Sequence, residues 1–140
     1  MKYSIVAYYT SSDPTVITEP DEVDTFIGDL LEAGYDHSIA KLHIRERPPS
    51  AAGFPDHMLR VAVNADDKVG GLAYLGPNAG GFSKGQLSRY DEVVYYYAGH
   101  DHEFPRDSEI PLTLVSEAVK EFLVSGGERP TCVQWQDHPA

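Results

Sequence analysis

Apolar and polar positions alternate cleanly between residues 38 and 46, where Ala40, Leu42 and Ile44 interleave with Lys41, His43 and Arg45. A two-residue period predicts a strand with one face toward a core. Residues 2–9 repeat the pattern: Tyr3, Ile5, Ala7 and Tyr9 share one face and Ser4, Val6 and Tyr8 the other. Residues 57–64 do so again with Leu59, Val61 and Val63, and Asp66-Asp67-Lys68-Val69-Gly70 then reads as a hairpin connection to a strand over 72–75. Residues 92–98, Glu-Val-Val-Tyr-Tyr-Tyr-Ala, are β-branched or aromatic throughout the middle and are expected to form a central strand.

The period lengthens in two places. Val23, Phe26, Ile27, Leu30 and Leu31 follow helical spacing, as do Leu114, Val115, Ala118, Val119, Phe122 and Leu123. Thr18 is placed to cap the first helix, with Pro20 in its opening turn and Gly34 as its stop. The second helix is expected to begin near Thr113 and to end at Gly126-Gly127. A last strand is expected over 131–135, with Thr131, Val133 and Trp135 on one face. Residues 10–18, 48–55, 76–86 and 99–111 read as loops. The resulting order, β-α-β-β-β-β-α-β, predicts an α+β fold, a mostly antiparallel sheet of about six strands with two helices packed on one face.

The length of 140 residues fits a single domain over 1–140, large enough to bury a core without staples. One cysteine excludes an intrachain disulfide and fits a reducing compartment. The first residues are too polar for a signal peptide, and no apolar run approaches membrane-spanning length. A cytoplasmic location is therefore expected.

Charge changes the picture more. The formal net charge is -11, which disfavours nucleic acid and anionic membrane as partners and favours a basic one. Between Lys2 and Lys41 stand eight acids and no Lys or Arg: Asp13, Glu19, Asp21, Glu22, Asp24, Asp29, Glu32 and Asp36. Those at 19, 21 and 22 sit near the positive end of a helix dipole and have a structural reason. A one-signed run is also a candidate interaction surface.

Candidate chemistry is sparse. His100 and His102, in His-Asp-His-Glu, point the same way if extended, yet a metal site needs three or four ligands and no third is evident. Cys132 lies in an expected strand and reads as a small packed residue. The glycine-rich segment 76–86 has the order Ser-Lys-Gly and lacks the Gly-Lys-Ser/Thr that closes a phosphate loop. Read as a long loop carrying an exposed Phe82, it suits binding instead. No catalytic set, metal or cofactor is expected.

The end of the second helix carries one resemblance. Ala118, Val119, Glu121, Phe122 and Leu123 are followed by glycine, then Arg129-Pro130, then Val133 and Trp135. This arrangement resembles the first-numbered Imm family of immunity proteins from bacterial polymorphic-toxin systems. The early Tyr8-Tyr9 strand, the acidic first helix and the Tyr-rich strand occur in similar order. The resemblance implies a non-enzymatic inhibitor whose partner is a cognate toxin domain, often a nucleic-acid deaminase. It implies that Phe122, Arg129, Pro130 and Trp135 are scaffold. The charge pattern adds a contact surface: Asp21, Asp24 and Asp29 with Phe82 would face the basic substrate site of the toxin. Two other classes stay open, a small ligand- or metal-binding enzyme built on His100, His102 and segment 76–86, and an acidic secretion chaperone.

Overall fold

The alternation at 38–46 becomes strand β3 (Ile39–Ile44), paired antiparallel with β4 (Met58–Asn64) so that Leu42 lies opposite Leu59 and Lys41 opposite Arg60. The computed structural model describes residues 2–9 and 13–136, apart from the side chain of Tyr35. Strand β5 (Val69–Leu75) returns beside β4. On the other side of β3 lie β1 (Ile5–Tyr8) and then β2 (Thr15–Ile17). The far edge of β5 is shared: β9 (Ile110–Pro111) pairs with its start and β6 (Gly80–Lys84) with its end. Strand β10 (Gln134–Gln136) closes the sheet outside β6, and all these pairings are antiparallel.

Helices α1 (Asp21–Glu32) and α2 (Leu112–Ser125) cover one face of this sheet. Ala7, Leu42, Val61 and Leu72 project from the strands onto Phe26 of α1 and Phe122 of α2, all at most 1% exposed. The fold is thus the expected α+β arrangement, with a mostly antiparallel sheet and helices against it, though the main sheet has eight strands. Among the described residues no helix is long and apolar enough to cross a membrane.

Several local expectations are corrected. Thr18 does not cap α1 by accepting from its first turn. Instead the Glu22 carboxylate reaches back and accepts from the Thr18 and Glu19 backbone N–H groups and the Thr18 hydroxyl, at 2.9–3.0 Å. The bonds resemble the return half of a capping box displaced outward, because Pro20 in the cap position has no N–H to offer. The loop expected over 10–18 contains β2; its residues 10–12 lie outside the described residues. The last strand is shorter than expected because Glu121 takes the N–H groups of Thr131 (2.6 Å) and Cys132 (3.1 Å) before they can join a ladder.

The glycine-rich segment is also strand. Phe82 is 3% exposed, so it is core and not a loop tip, and Gly81 holds φ at 117° where a Cβ would meet the Gln136 carbonyl oxygen at 2.4 Å. Glycine there lets β10 approach β6, which is why composition alone suggested a loop.

The Tyr-rich strand β7 (Val93–Tyr97) is not central. Among the described residues it pairs only with β8 (His100–Phe104), within the segment expected to be a loop, through a tight Ala98–Gly99 turn. This hairpin lies on the face of the main sheet opposite the helices, where Tyr95 and Phe104 pack with Ile39, Ala62, Ala73 and Phe82. β-propensity reports fit to a half-buried pleated surface, and a strand laid over a sheet meets that condition as well as a central one.

Candidate functional site

At the end of α2 the chain passes through Gly126 (φ 75°) and Gly127 (φ 97°), and their N–H groups cap the carbonyls of Leu123 and Phe122. The Gly127 carbonyl accepts from Tyr74 Oη at 2.7 Å and Arg47 Nη1 at 3.1 Å. Arg47 also reaches Asp56, which accepts from His57 Nδ1–H at 2.8 Å. His57 is 3% exposed, and its Nε2 accepts the Ile44 backbone N–H at 2.9 Å, which fixes the neutral tautomer. Beyond the turn, Arg129 donates to the Gly80 carbonyl (2.7 Å) and lies 5.4 Å from the Trp135 ring. Trp135 Nε1–H donates to the Pro130 carbonyl, and its ring meets Tyr74 edge-on. The structure thus brings Phe122, Arg129, Pro130 and Trp135 together, with Tyr74 and Arg47 as partners that the local sequence gave no sign of.

This hub carries a pH dependence. Burial lowers the His57 pKa below its ordinary 6.5, with Asp56 opposing and Arg47 assisting. Burial lowers His43, which contacts His57, and His102 as well. Unfolded chains take up these protons as pH falls below 6.5 while the folded protein resists. The stability contributed is complete above that pH and is lost as pH falls toward the folded-state values. The urea midpoint is expected to drop between pH 7.5 and 5.5, and His57→Gln to flatten the drop; a wild-type midpoint independent of pH over that interval contradicts this.

Trp135 is only half-buried, on an edge strand. The 3–5 kcal/mol typical of a well-buried Trp→Ala change is therefore reduced, and Trp135→Ala is expected to cost about 2 kcal/mol. Chemical denaturation checks it; an unchanged midpoint would remove the ring from the scaffold.

The acidic helix is distributed differently from the expectation. Asp21 and Asp29 are exposed. Asp24 is exposed too, yet its carboxylate accepts from Ser116 Oγ (2.5 Å) and Lys120 Nζ (3.1 Å) and ties α1 to α2. Those two contacts lower its pKa, the Ser116 hydrogen bond most. Lys2 pairs with Glu19 and so offsets one acid of the run. Phe82, on β6, is buried beneath the β7–β8 hairpin and does not join the three aspartates.

Two surface concavities stand out. One, of about 450 Å³, lies on the sheet face left uncovered by the hairpin, between Tyr8, His43, Phe54, Met58, Leu75 and Tyr97. Phe54 and Leu75 are exposed by 71% and 68%. The other, of about 570 Å³, opens between the end of α1, the β4–β5 turn and β7.

Catalytic groupings are weak. His102 Nδ1 lies 3.3 Å from Arg60 Nη1, and no cluster of three or more metal-ligating side chains occurs among the described residues. Cys132, expected as a packed residue of the last strand, is instead exposed and precedes β10; partial desolvation and then Glu121 push its thiol up to about 11, which leaves it protonated at neutral pH.

No curated protein matches the chain. The family model described as immunity protein Imm1 matches residues 11–137, which include α1, every strand from β2 onward and the whole hub around Gly127. With that match spanning nearly all of the chain, it belongs to the Imm1 family of immunity proteins.

Proposed function

We propose that this immunity protein neutralises a cognate toxin domain, a nucleic-acid deaminase, by covering the basic surface that receives the toxin's substrate. The observation that carries the reading is the one-signed charge: a net -11 overall and eight acids without Lys or Arg between Lys2 and Lys41. A toxin acting on nucleic acid needs a cationic channel, and an acidic domain competes for it as a polyanion. Asp21 and Asp29 on α1 are the contact candidates whose carboxylates carry no hydrogen bond or ion pair among the described residues, while Asp24 is shared with Ser116 and Lys120. The interaction is placed in the cytoplasm of the producing cell, before the toxin leaves it.

The test is direct. The toxin domain encoded beside this gene is expressed alone and with this protein, and deamination of single- and double-stranded DNA and of RNA is followed. Stoichiometric loss of deamination with co-elution of the two proteins is the expected result. Co-elution with an unchanged rate would refute occlusion. Inhibition of a nuclease or of a toxin of another chemistry would refute the deaminase assignment alone.

A further inference from the structure

We infer that the cleft at the C-terminal end of α1 receives a cationic side chain, arginine or lysine, projecting from the toxin's basic surface. This rests on the immunity reading and names the contact it requires. Among the described residues, the ionisable side chains lining the cleft are three acids, Asp66, Glu92 and Glu109, and three tyrosines, with no Lys, Arg or His. Glu109 is only 8% exposed, yet its carboxylate forms no ion pair among the described residues. Its oxygens are not among the fully buried unpaired atoms, so they remain reachable from the cleft, and a cation brought to them between low-dielectric walls is held more strongly than at an open surface.

Tyr95 supplies a second, independent sign. It lines the same cleft, is 4% exposed, and its hydroxyl has no hydrogen-bond partner among the described residues. Buried hydroxyls in native proteins are nearly always paired. Burial, then the Glu109 and Asp67 charges, push its ionisation upward, so it stays a neutral phenol able to accept from an N–H group.

The shape suits the same occupant. Leu30, Leu31, Val63 and Val93 provide an apolar wall for an aliphatic stem, leaving the head group to Glu109 and Tyr95. Arg89, the cation beside Tyr90 at the rim, is held elsewhere by Asp67 at 2.8 and 3.1 Å and by stacking on Tyr90. Leu30, Leu31 and Gly34 make the cleft continuous with the end of α1, the helix that also carries exposed Asp29 and Glu32. Steering by the helix and capture by the cleft are then successive parts of one encounter.

Two arms test this. In the first, isotope-labelled protein is titrated with N-acetyl-arginine amide and, as control, N-acetyl-norleucine amide, and amide NMR shifts are followed. Saturable shifts at Asp66, Val93–Tyr96 and Glu109 are expected with the arginine probe only, and about tenfold weaker binding in Tyr95→Phe and Glu109→Gln. In the second, the affinity for the toxin domain is expected to fall about tenfold in each variant. Tyr95→Phe separates binding from folding: it deletes a hydroxyl that has no partner, so its denaturation midpoint should equal or exceed that of wild type while binding weakens. Undiminished toxin binding by both variants overturns the cleft assignment and leaves the immunity reading standing. Failure of the wild type to bind the toxin overturns the immunity reading instead, and the arginine titration then decides the cleft alone, where absence of shifts refutes it.

Discussion

Gly127→Ala is expected to lower the unfolding free energy by about 2–6 kcal/mol, the largest loss from adding one methyl group to the hub at the end of α2. The conformation alone is unfavourable, since φ is 97° at Gly127 and a non-glycine residue held in such a region costs about 1–3 kcal/mol. Space adds a second term. A Cβ at Gly127 would sit 2.9 Å from the His57 ring and 3.0 Å from Arg47 Nη1. Neither neighbour can move freely: His57 is held by Ile44 and Asp56, and Arg47 by Asp56 and the Gly127 carbonyl itself. Overpacking of this kind costs about 1–3 kcal/mol. Gly126→Ala is expected to cost less, although its Cβ would come closer, at 2.6 Å from the Tyr3 ring. Tyr3 is only partly buried and can swing aside, and φ at Gly126 is a milder 75°. Urea denaturation of both variants decides the matter. A wild-type midpoint for Gly127→Ala, or a greater loss for Gly126→Ala, would show that the hub relaxes where the geometry says it is locked. Against a typical total of about 5–15 kcal/mol, the expected loss at Gly127 is large enough to leave part of the chain unfolded at 37 °C.

The same hub shows what sequence reading reaches. Phe122 was legible as core because α2 repeats its apolar residues at helical spacing, and the glycines after it were legible as a stop. Arg47 and Tyr74 were not, because hydrogen bonds to a carbonyl 80 and 53 residues away leave no periodicity behind, nor was His57, whose ring is fixed by Ile44 and Asp56. Period two located β3 and β4, whose one buried face is long and continuous. It failed on β8, where His100 to Glu103 are polar because the hairpin has solvent on one side, and only Phe104 reaches the cluster beneath. Phe82 was misread for the opposite reason: its glycine neighbours reflect close approach of another strand, which composition cannot separate from a loop. The acidic run was visible as a count, but the division of labour within it depends on α2 crossing beside α1, with Ser116 and Lys120 meeting Asp24. The cleft holding Tyr95 and Glu109 joins residues from four parts of the chain, and an unpaired hydroxyl has no signature in sequence.

That division of labour decides how the charge proposal is best tested. Asp24→Lys would remove the tie between α1 and α2, so a slower association in that variant would mix stability with steering. Asp21 and Asp29 are exposed and leave the tie intact, and Asp21→Lys costs only the helix-dipole interaction, about 0.3–1 kcal/mol. The double variant Asp21→Lys, Asp29→Lys changes the local charge by four while the core stays as it is. Its association rate with the toxin domain at low salt is expected to fall about tenfold or more, because rim charges act chiefly on diffusional encounter. Screening is the signature. With a Debye length near 10 Å at about 0.1 M salt, the wild-type rate should fall steeply as salt rises, and the variant's rate much less, so that the two converge. The dissociation rate should change little, since charges at the edge of an interface remain partly solvated in the complex. Stopped-flow mixing at two ionic strengths separates these quantities. Equal association rates and equal salt slopes would place the toxin on another surface. The uncovered sheet face around Tyr8, Phe54 and Leu75 would then be the first to probe, since its exposed apolar side chains need no charge to bind a partner.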